Sequence, residues 1–85
     1  MKDNNMRKVI SFVNYGNIKC NLKEIMDKQN ISRTQLVKRT GIHHRAINNY
    51  MNDNVVRFDK EILARLCYVL NCELNDIIVY IPPKE

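Results

Sequence analysis

Apolar residues recur at helical spacing along most of this chain, and the polar residues between them carry signals that start and stop helices. Leu22, Ile25 and Met26 share one face behind Asn21, a candidate N-cap with Glu24 at the capping-box position. That helix should end near Gln29-Asn30. Ser32 opens the next, over Arg33–Thr40. Gln35 completes its capping box, and Ile31 and Leu36 are spaced as a hydrophobic staple. Gly41 can take the left-handed conformation that ends a helix without a Cβ clash. The pattern restarts at once. Ile42 and Ile47 form a second staple around His43, so a third helix begins at His44 and runs to about Met51. Leu36, Ile42, Ile47 and Tyr50 can share one small core, which sets the angle between the second and third helices. Asp59 caps a fourth helix over Lys60–Leu70, with Phe58 and Leu63 as its staple. Ile62, Leu63, Leu66, Cys67 and Leu70 form its apolar stripe, and Asn71 ends it. A short fifth helix, roughly residues 74–79, should carry Ile77 and Ile78 inward.

The ends of the chain read differently. Residues 1–8 are polar. Residues 9–13, Val-Ile-Ser-Phe-Val, are β-branched and aromatic and make a candidate strand. Asn14-Tyr15-Gly16-Asn17 is a turn signal, and Ile18-Lys19-Cys20 can be a short return strand. Tyr80-Ile81 extends before Pro82-Pro83 stops regular structure, and it can pair with Ile18-Lys19-Cys20. The expected fold is all-α, with five helices and short extended segments near both ends. Residues 1–17 form an extension to a domain over residues 18–83. The extension either pads the core or supplies a dimerisation edge or basic arm.

Length and composition narrow the function. The chain has 85 residues, enough for one modest core. Three widely spaced cysteines suggest no disulfide framework and favour a reducing interior. No apolar run approaches membrane-spanning length, and residues 9–13 are too few for a secretory signal. Charge is unevenly placed. The chain carries 14 basic and 9 acidic residues. Between Asp27 and Asp53 there is no acidic residue, while Lys28, Arg33, Lys38, Arg39 and Arg45 fall in that interval; without those five, nine basic residues face nine acidic ones. A local excess of this kind is the electrostatic footprint of a nucleic-acid-binding face, or else a solvated basic surface with no partner.

The run L-V-x-x-T-G-I-x-x-x-x-I-x-x-Y-x-N, from Leu36 to Asn52, resembles the helix-turn-helix of the Cro/lambda-repressor (XRE-type) DNA-binding family. The resemblance continues through F-D-x-E-I-L-A-R-L-C-Y-V-L-N-C to I-V-Y-I-P and covers residues 18–83. It implies a lambda-repressor-like five-helix domain. Three positions depart from the family's usual residues. Arg33 stands where the family usually has a Gln that holds a phosphate. Val37 stands where it usually has Ala, which asks for a slightly wider helix crossing. His43 stands where it usually has Ser, a better cap.

A B-form major groove admits one α-helix, and recognition helices aim their N-terminal residues at base edges. Here those residues are His44, Arg45, Asn48 and Asn49. Arg45 suits guanine O6 and N7. Asn48 or Asn49 suits adenine N6 and N7. His44 can donate to a base or a phosphate. Arg33, Lys38, Asn52 and Asn54 are placed to hold phosphates. His43 belongs with that set, although its cap position also directs it to backbone. Each has a plainer reading as an exposed polar residue, but two Asn in mid-helix cost stability relative to Ala, which argues for a purpose. Tyr50 fits core packing better than base stacking, and Cys67 and Cys72 fit a structural role.

Cys67, Cys72, His43 and His44 lack the spacing of a zinc site. No cofactor is expected. With neither a phosphate loop nor a paired-acid or triad pattern, the chain is not expected to be an enzyme, and it leaves no room for a small-molecule or inducer domain. The expectation is therefore a cytoplasmic, nucleoid-associated, sequence-specific double-stranded DNA binder. It should act as a repressor at an operator, as a homodimer on an inverted repeat, with no membrane partner. The alternative is a protein-interaction module, such as an antitoxin or an anti-repressor partner, which would show a large exposed apolar surface. RNA binding is less well served, because it would want exposed aromatics on a sheet.

Overall fold

Side-chain caps and left-handed stops set most helix limits in the computed structural model, which describes residues 13–84. The order is β1 (Asn17–Cys20), α1 (Leu22–Gln29), α2 (Arg33–Thr40), α3 (His44–Met51), α4 (Lys60–Leu70), α5 (Leu74–Ile77) and β2 (Ile78–Ile81). Ser32 and Gln35 close the capping box of α2: Ser32 Oγ accepts from the Gln35 N–H at 3.2 Å, and Gln35 Oε1 accepts from the Ser32 N–H at 2.9 Å. Asp59 Oδ1 accepts from the Glu61 and Ile62 N–H groups at 2.8 and 3.3 Å, starting α4. Asn30, Gly41 and Asn71 follow α1, α2 and α4 with φ of 57°, 73° and 50°. Asn accepts such values more readily than most residues, and Gly accepts them freely.

The helices share one core. Leu22 and Met26 of α1, Leu36 of α2, Ile42 of the turn, Ile47 and Tyr50 of α3, Leu66 and Leu70 of α4, and Ile77 of α5 are all buried. The predicted stripe on α4 divides: Leu66 and Leu70 are fully buried, while Ile62, Leu63 and Cys67 are half-buried against the cluster. Burial pushes the Cys20 and Cys72 thiols above their usual range.

β1 and β2 pair antiparallel, with Ile18 opposite Tyr80 and Cys20 opposite Ile78, as the two extended segments suggested. This pairing corrects two expectations. The fifth helix stops at Ile77, and Ile78 and Val79 lie in β2 instead. Four consecutive β-branched or aromatic residues, Ile78-Val79-Tyr80-Ile81, satisfy their backbone against β1 more readily than in a helical turn. Asn21 does not cap α1 with its side chain, and no capping box forms with Glu24. Its N–H instead donates to the Ile77 carbonyl at 2.6 Å, one step beyond the last ladder pair. The sheet thus holds Asn21 at φ −104° and ψ 24°, away from the extended geometry of a cap. The candidate strand over residues 9–13 lies outside the described residues except for Val13, as does the polar stretch 1–8.

Gly16 enters β1 at φ +88°, and a Cβ there would collide with the Ile81 carbonyl oxygen. Positive φ and a backbone clash act together at this position. Gly16→Ala is therefore expected to lower stability by about 1–3 kcal/mol, read as a reduced urea midpoint. An unchanged midpoint would show that Gly16 does not sit against the end of β2.

Candidate nucleic-acid interface

The turn between α2 and α3 is built by its own residues. Gly41 donates its N–H to the Val37 carbonyl at 2.9 Å while taking the left-handed conformation. Thr40, buried at 8 % exposure, spans the same turn. Its Oγ1 donates to the Leu36 carbonyl at 2.7 Å and accepts from the Ile42 N–H at 3.1 Å. A buried hydroxyl is tolerable because both its donor and its acceptor capacity are used. Ile42 and Ile47 then fold inward beside Leu36. Val37 is half-buried against the same cluster.

His43 caps α3. Its Nδ1 accepts from the Arg45 N–H at 3.1 Å, so the imidazole does the work of the shorter hydroxyl side chains usual at such sites. This leaves Nε2 as its nitrogen for any outside acceptor. The His43 and His44 rings stack with centroids 4.4 Å apart. Tyr50 anchors the other end of α3. Its ring packs edge-on against Phe58 at 5.9 Å, and its hydroxyl accepts from the Asp59 N–H at 3.0 Å. That hydroxyl bond ties α3 to the start of α4 and places Tyr50 in the core.

Ile47 and Tyr50 turn inward, and Ala46 and Met51 of α3 pack partly against the same core. His44, Arg45 and Asn49 are exposed and Asn48 is half-buried. Arg33, Lys38, Arg39, His43, Asn52 and Asn54 are exposed as well, but Arg39 lines a surface depression with Glu61, Arg65 and Tyr68 of α4. Lys28, grouped with these cations by sequence position, belongs to the last turn of α1. α2 and α3 contain no carboxylate, and on other elements three of the described carboxylates are matched: Glu24 with Lys19, Asp27 with Lys23, and Glu61 with Arg65. Among the described residues, Arg33, Lys38, Arg39 and Arg45 form no ion pair. A cationic surface whose charges are not neutralised from within keeps its field for an outside anion.

Three contacts here were not legible in the spacing of residues. Arg65 of α4 donates from Nη1 to the Thr40 carbonyl at 3.0 Å, placing a cation at the C-terminus of α2. Asp53, at φ 58°, accepts from the Cys20 N–H at 2.9 Å and pins the loop after α3 to β1. Arg33 Nη1 donates to Asn48 Oδ1 at 2.8 Å, from the first residue of α2 to the middle of α3. An acid or cation at a loop or helix surface gives no sequence signal of a partner 25 or 33 residues away.

Comparison with known proteins agrees with this geometry. A family model described as the Cro/C1-type HTH DNA-binding domain matches residues 21–83. Two solved structures share the fold. One is a Bacteroides fragilis protein described as a "putative DNA-binding protein", 13 % identical, with TM-score 0.65, covering 74 % of this chain and all of that one. The other is the transcriptional regulator VanUg, 17 % identical, with TM-score 0.65, covering 91 % of this chain and all of that one. No curated protein matches the sequence.

The Arg65 contacts differ in weight. The Glu61–Arg65 pair is solvent-exposed, with side-chain exposures of 71 % and 46 %, so screening leaves it little value. The bond to the Thr40 carbonyl caps α2. Arg65→Ala is expected to cost about 1 kcal/mol and Glu61→Ala only about 0.3 kcal/mol, both by equilibrium urea unfolding. Equal losses would assign the stabilisation to the ion pair instead.

Proposed function

This chain belongs to the Cro/C1-type helix-turn-helix DNA-binding domain family, and we propose that it is a sequence-specific transcriptional repressor that acts by occupying an operator in double-stranded DNA. One observation carries the reading. The packing that buries Ile47 and Tyr50 leaves His44, Arg45 and Asn49 exposed together on α3, while Arg33, Lys38, Arg39 and Arg45 form no ion pair among the described residues. In this reading α3 is the recognition helix. Arg45 forks onto guanine O6 and N7, Asn49 pairs with adenine N6 and N7, and His44 donates to a base edge. Arg33, Lys38, His43, Asn52 and Asn54 hold phosphates on either side, fixing register without reading sequence.

One helix of this length spans few base pairs, so useful specificity calls for two copies. We place the protein as a homodimer on an inverted repeat, with half-sites about one helical turn apart. It works on the nucleoid, in the cytoplasm. The reading needs no cofactor and no catalytic step.

A second reading has its own observation. Tyr15, Ile18, Val55, Val56, Phe58 and Tyr80 line a surface groove, and Val56 is 91 % exposed. An apolar surface there suits a protein-interaction module, such as an antitoxin or anti-repressor partner.

Fluorescence anisotropy across a salt series separates the two, using a duplex from upstream of the protein's own gene and a scrambled duplex of equal length. Tight, salt-sensitive binding that prefers the upstream duplex is expected. Weak binding to both at every salt concentration would favour the protein-interaction reading. Arg45→Ala should lose about 1–3 kcal/mol on the preferred site and relax one base position. Loss by the same factor on every sequence would make Arg45 a phosphate contact. Lys38→Ala should weaken binding to all sequences alike and flatten the salt slope by about one unit.

A further inference from the structure

The turn that closes α4 carries a cysteine at each end. Asn71 takes the left-handed conformation there, at φ 50° and ψ 52°. Its N–H donates to the Tyr68 carbonyl at 3.3 Å, and the Cys72 N–H donates to the Cys67 carbonyl at 3.1 Å. One bond reaches back three residues and the other five, the helix stop in which the side chains of the two outer residues commonly meet. Here those residues are Cys67 and Cys72, both with free thiols. The backbone bond between them holds their Cα atoms about 5–6 Å apart, inside the range that a disulfide bridges.

Neither thiol is sealed in the core. Both residues are half-buried, and Cys72 lines a surface depression with Glu24, Ile25, Lys28 and Asp76. Burial pushes the Cys72 thiol up, and Cys67 and Asp76 push the same way. Cys72 therefore lies close enough to Cys67 to feel its charge. Cys20 differs: it is buried at 3 % exposure in β1. We infer that Cys67 and Cys72 form a dithiol–disulfide pair, which a small-molecule disulfide such as oxidised glutathione closes and reduced glutathione reopens. In the first step a thiolate of the pair attacks one sulfur of the oxidant. A mixed disulfide forms, and one glutathione leaves as its thiolate. The second protein thiolate then attacks the cysteine sulfur of the mixed disulfide and expels the other glutathione. Two protein S–H groups become one S–S bond, the S–S bond of the oxidant becomes two thiols, and both protons end on glutathione. With the Cys72 thiol raised, exchange is slow at neutral pH and accelerates as pH rises. The bridge ties the last turn of α4 to the segment that enters α5. Because the fold holds the two thiols together, the bridge must favour the fold by the same factor that the fold favours the bridge. This inference does not depend on the DNA-reading function proposed above.

The test is equilibration of the full chain in oxygen-free glutathione redox buffers, folded and in unfolding urea, followed by acid quench, alkylation and mass spectrometry. Cys67 and Cys72 share the tryptic peptide 66–84. In the folded chain that peptide should lose the mass of two hydrogens while Cys20 is recovered as a free thiol. The folded pair should close about tenfold or more readily than the pair in urea. The urea midpoint of wild type should then rise on oxidation. Cys67→Ser and Cys72→Ser should each stop at a glutathione adduct and show no such rise. Equal closure in the folded and unfolded chain would overturn the inference, because the turn would then add nothing. Wild-type thiols that stay unreacted at every buffer ratio, or that stop at glutathione adducts with no internal bridge, would overturn it too. So would a bridge to Cys20 or to a second copy. Wild type alone decides these outcomes, so a variant that fails to fold leaves the test intact.

Discussion

The packing of Leu36, Ile42, Ile47 and Tyr50 beneath a left-handed turn at Gly41 is the constraint on which the rest of the domain depends. All four side chains are buried, and Leu36 and Ile47 completely so. Two eight-residue helices cannot hold an angle to one another without such a shared core. α1 and α4 add Leu22, Met26, Leu66 and Leu70 to the same cluster, and α5 adds Ile77. Their role is to make the cluster large enough that the turn geometry is no longer negotiable. Thr40 and Arg65 hold the turn from the polar side, one through its hydroxyl and the other at the Thr40 carbonyl.

Function follows from what this core leaves outside. Burying Ile47 and Tyr50 decides the rotation of α3 about its axis, and therefore which side chains face away. The exposed set combines Arg, His and Asn, residues with complementary capacities toward base edges and phosphates. The paired carboxylates sit on α1 and α4 with Lys19, Lys23 and Arg65, so among the described residues the cations of α2 and α3 form no ion pair. His43 shows the same division within one side chain: one ring nitrogen secures the helix start, and the other is left for an outside partner.

Much of the scaffold was legible in the sequence because its signals are local. The limits of α2, α3 and α4 follow from Ser32, Gly41, His43, Asp59 and Asn71, each of which acts on backbone groups within a few residues. The pairing of Ile18 with Tyr80 was also suggested by two short extended runs. The misreadings share one cause. Asn21 has the composition of a cap and Ile78-Val79 continues an apolar run, but both meet the sheet, a contact between opposite ends of the chain. At Asn21 a non-local hydrogen bond displaced the local cap, and at Ile78-Val79 strand propensity was realised because β1 supplied a partner.

By itself the sequence determined where α1 to α4 start and stop, most of the residues of the core, and on which unit the excess positive charge lies. Caps, staples and helical periodicity act over three to five residues, so they are written in the chain. Tertiary structure decided how polar side chains divide their bonding capacity. Arg65 at the Thr40 carbonyl, Asp53 at the Cys20 N–H and Arg33 at Asn48 Oδ1 each depend on two elements meeting at hydrogen-bond distance. Residue type allows such a bond, but only the packing angle between helices brings donor and acceptor within about 3 Å of each other.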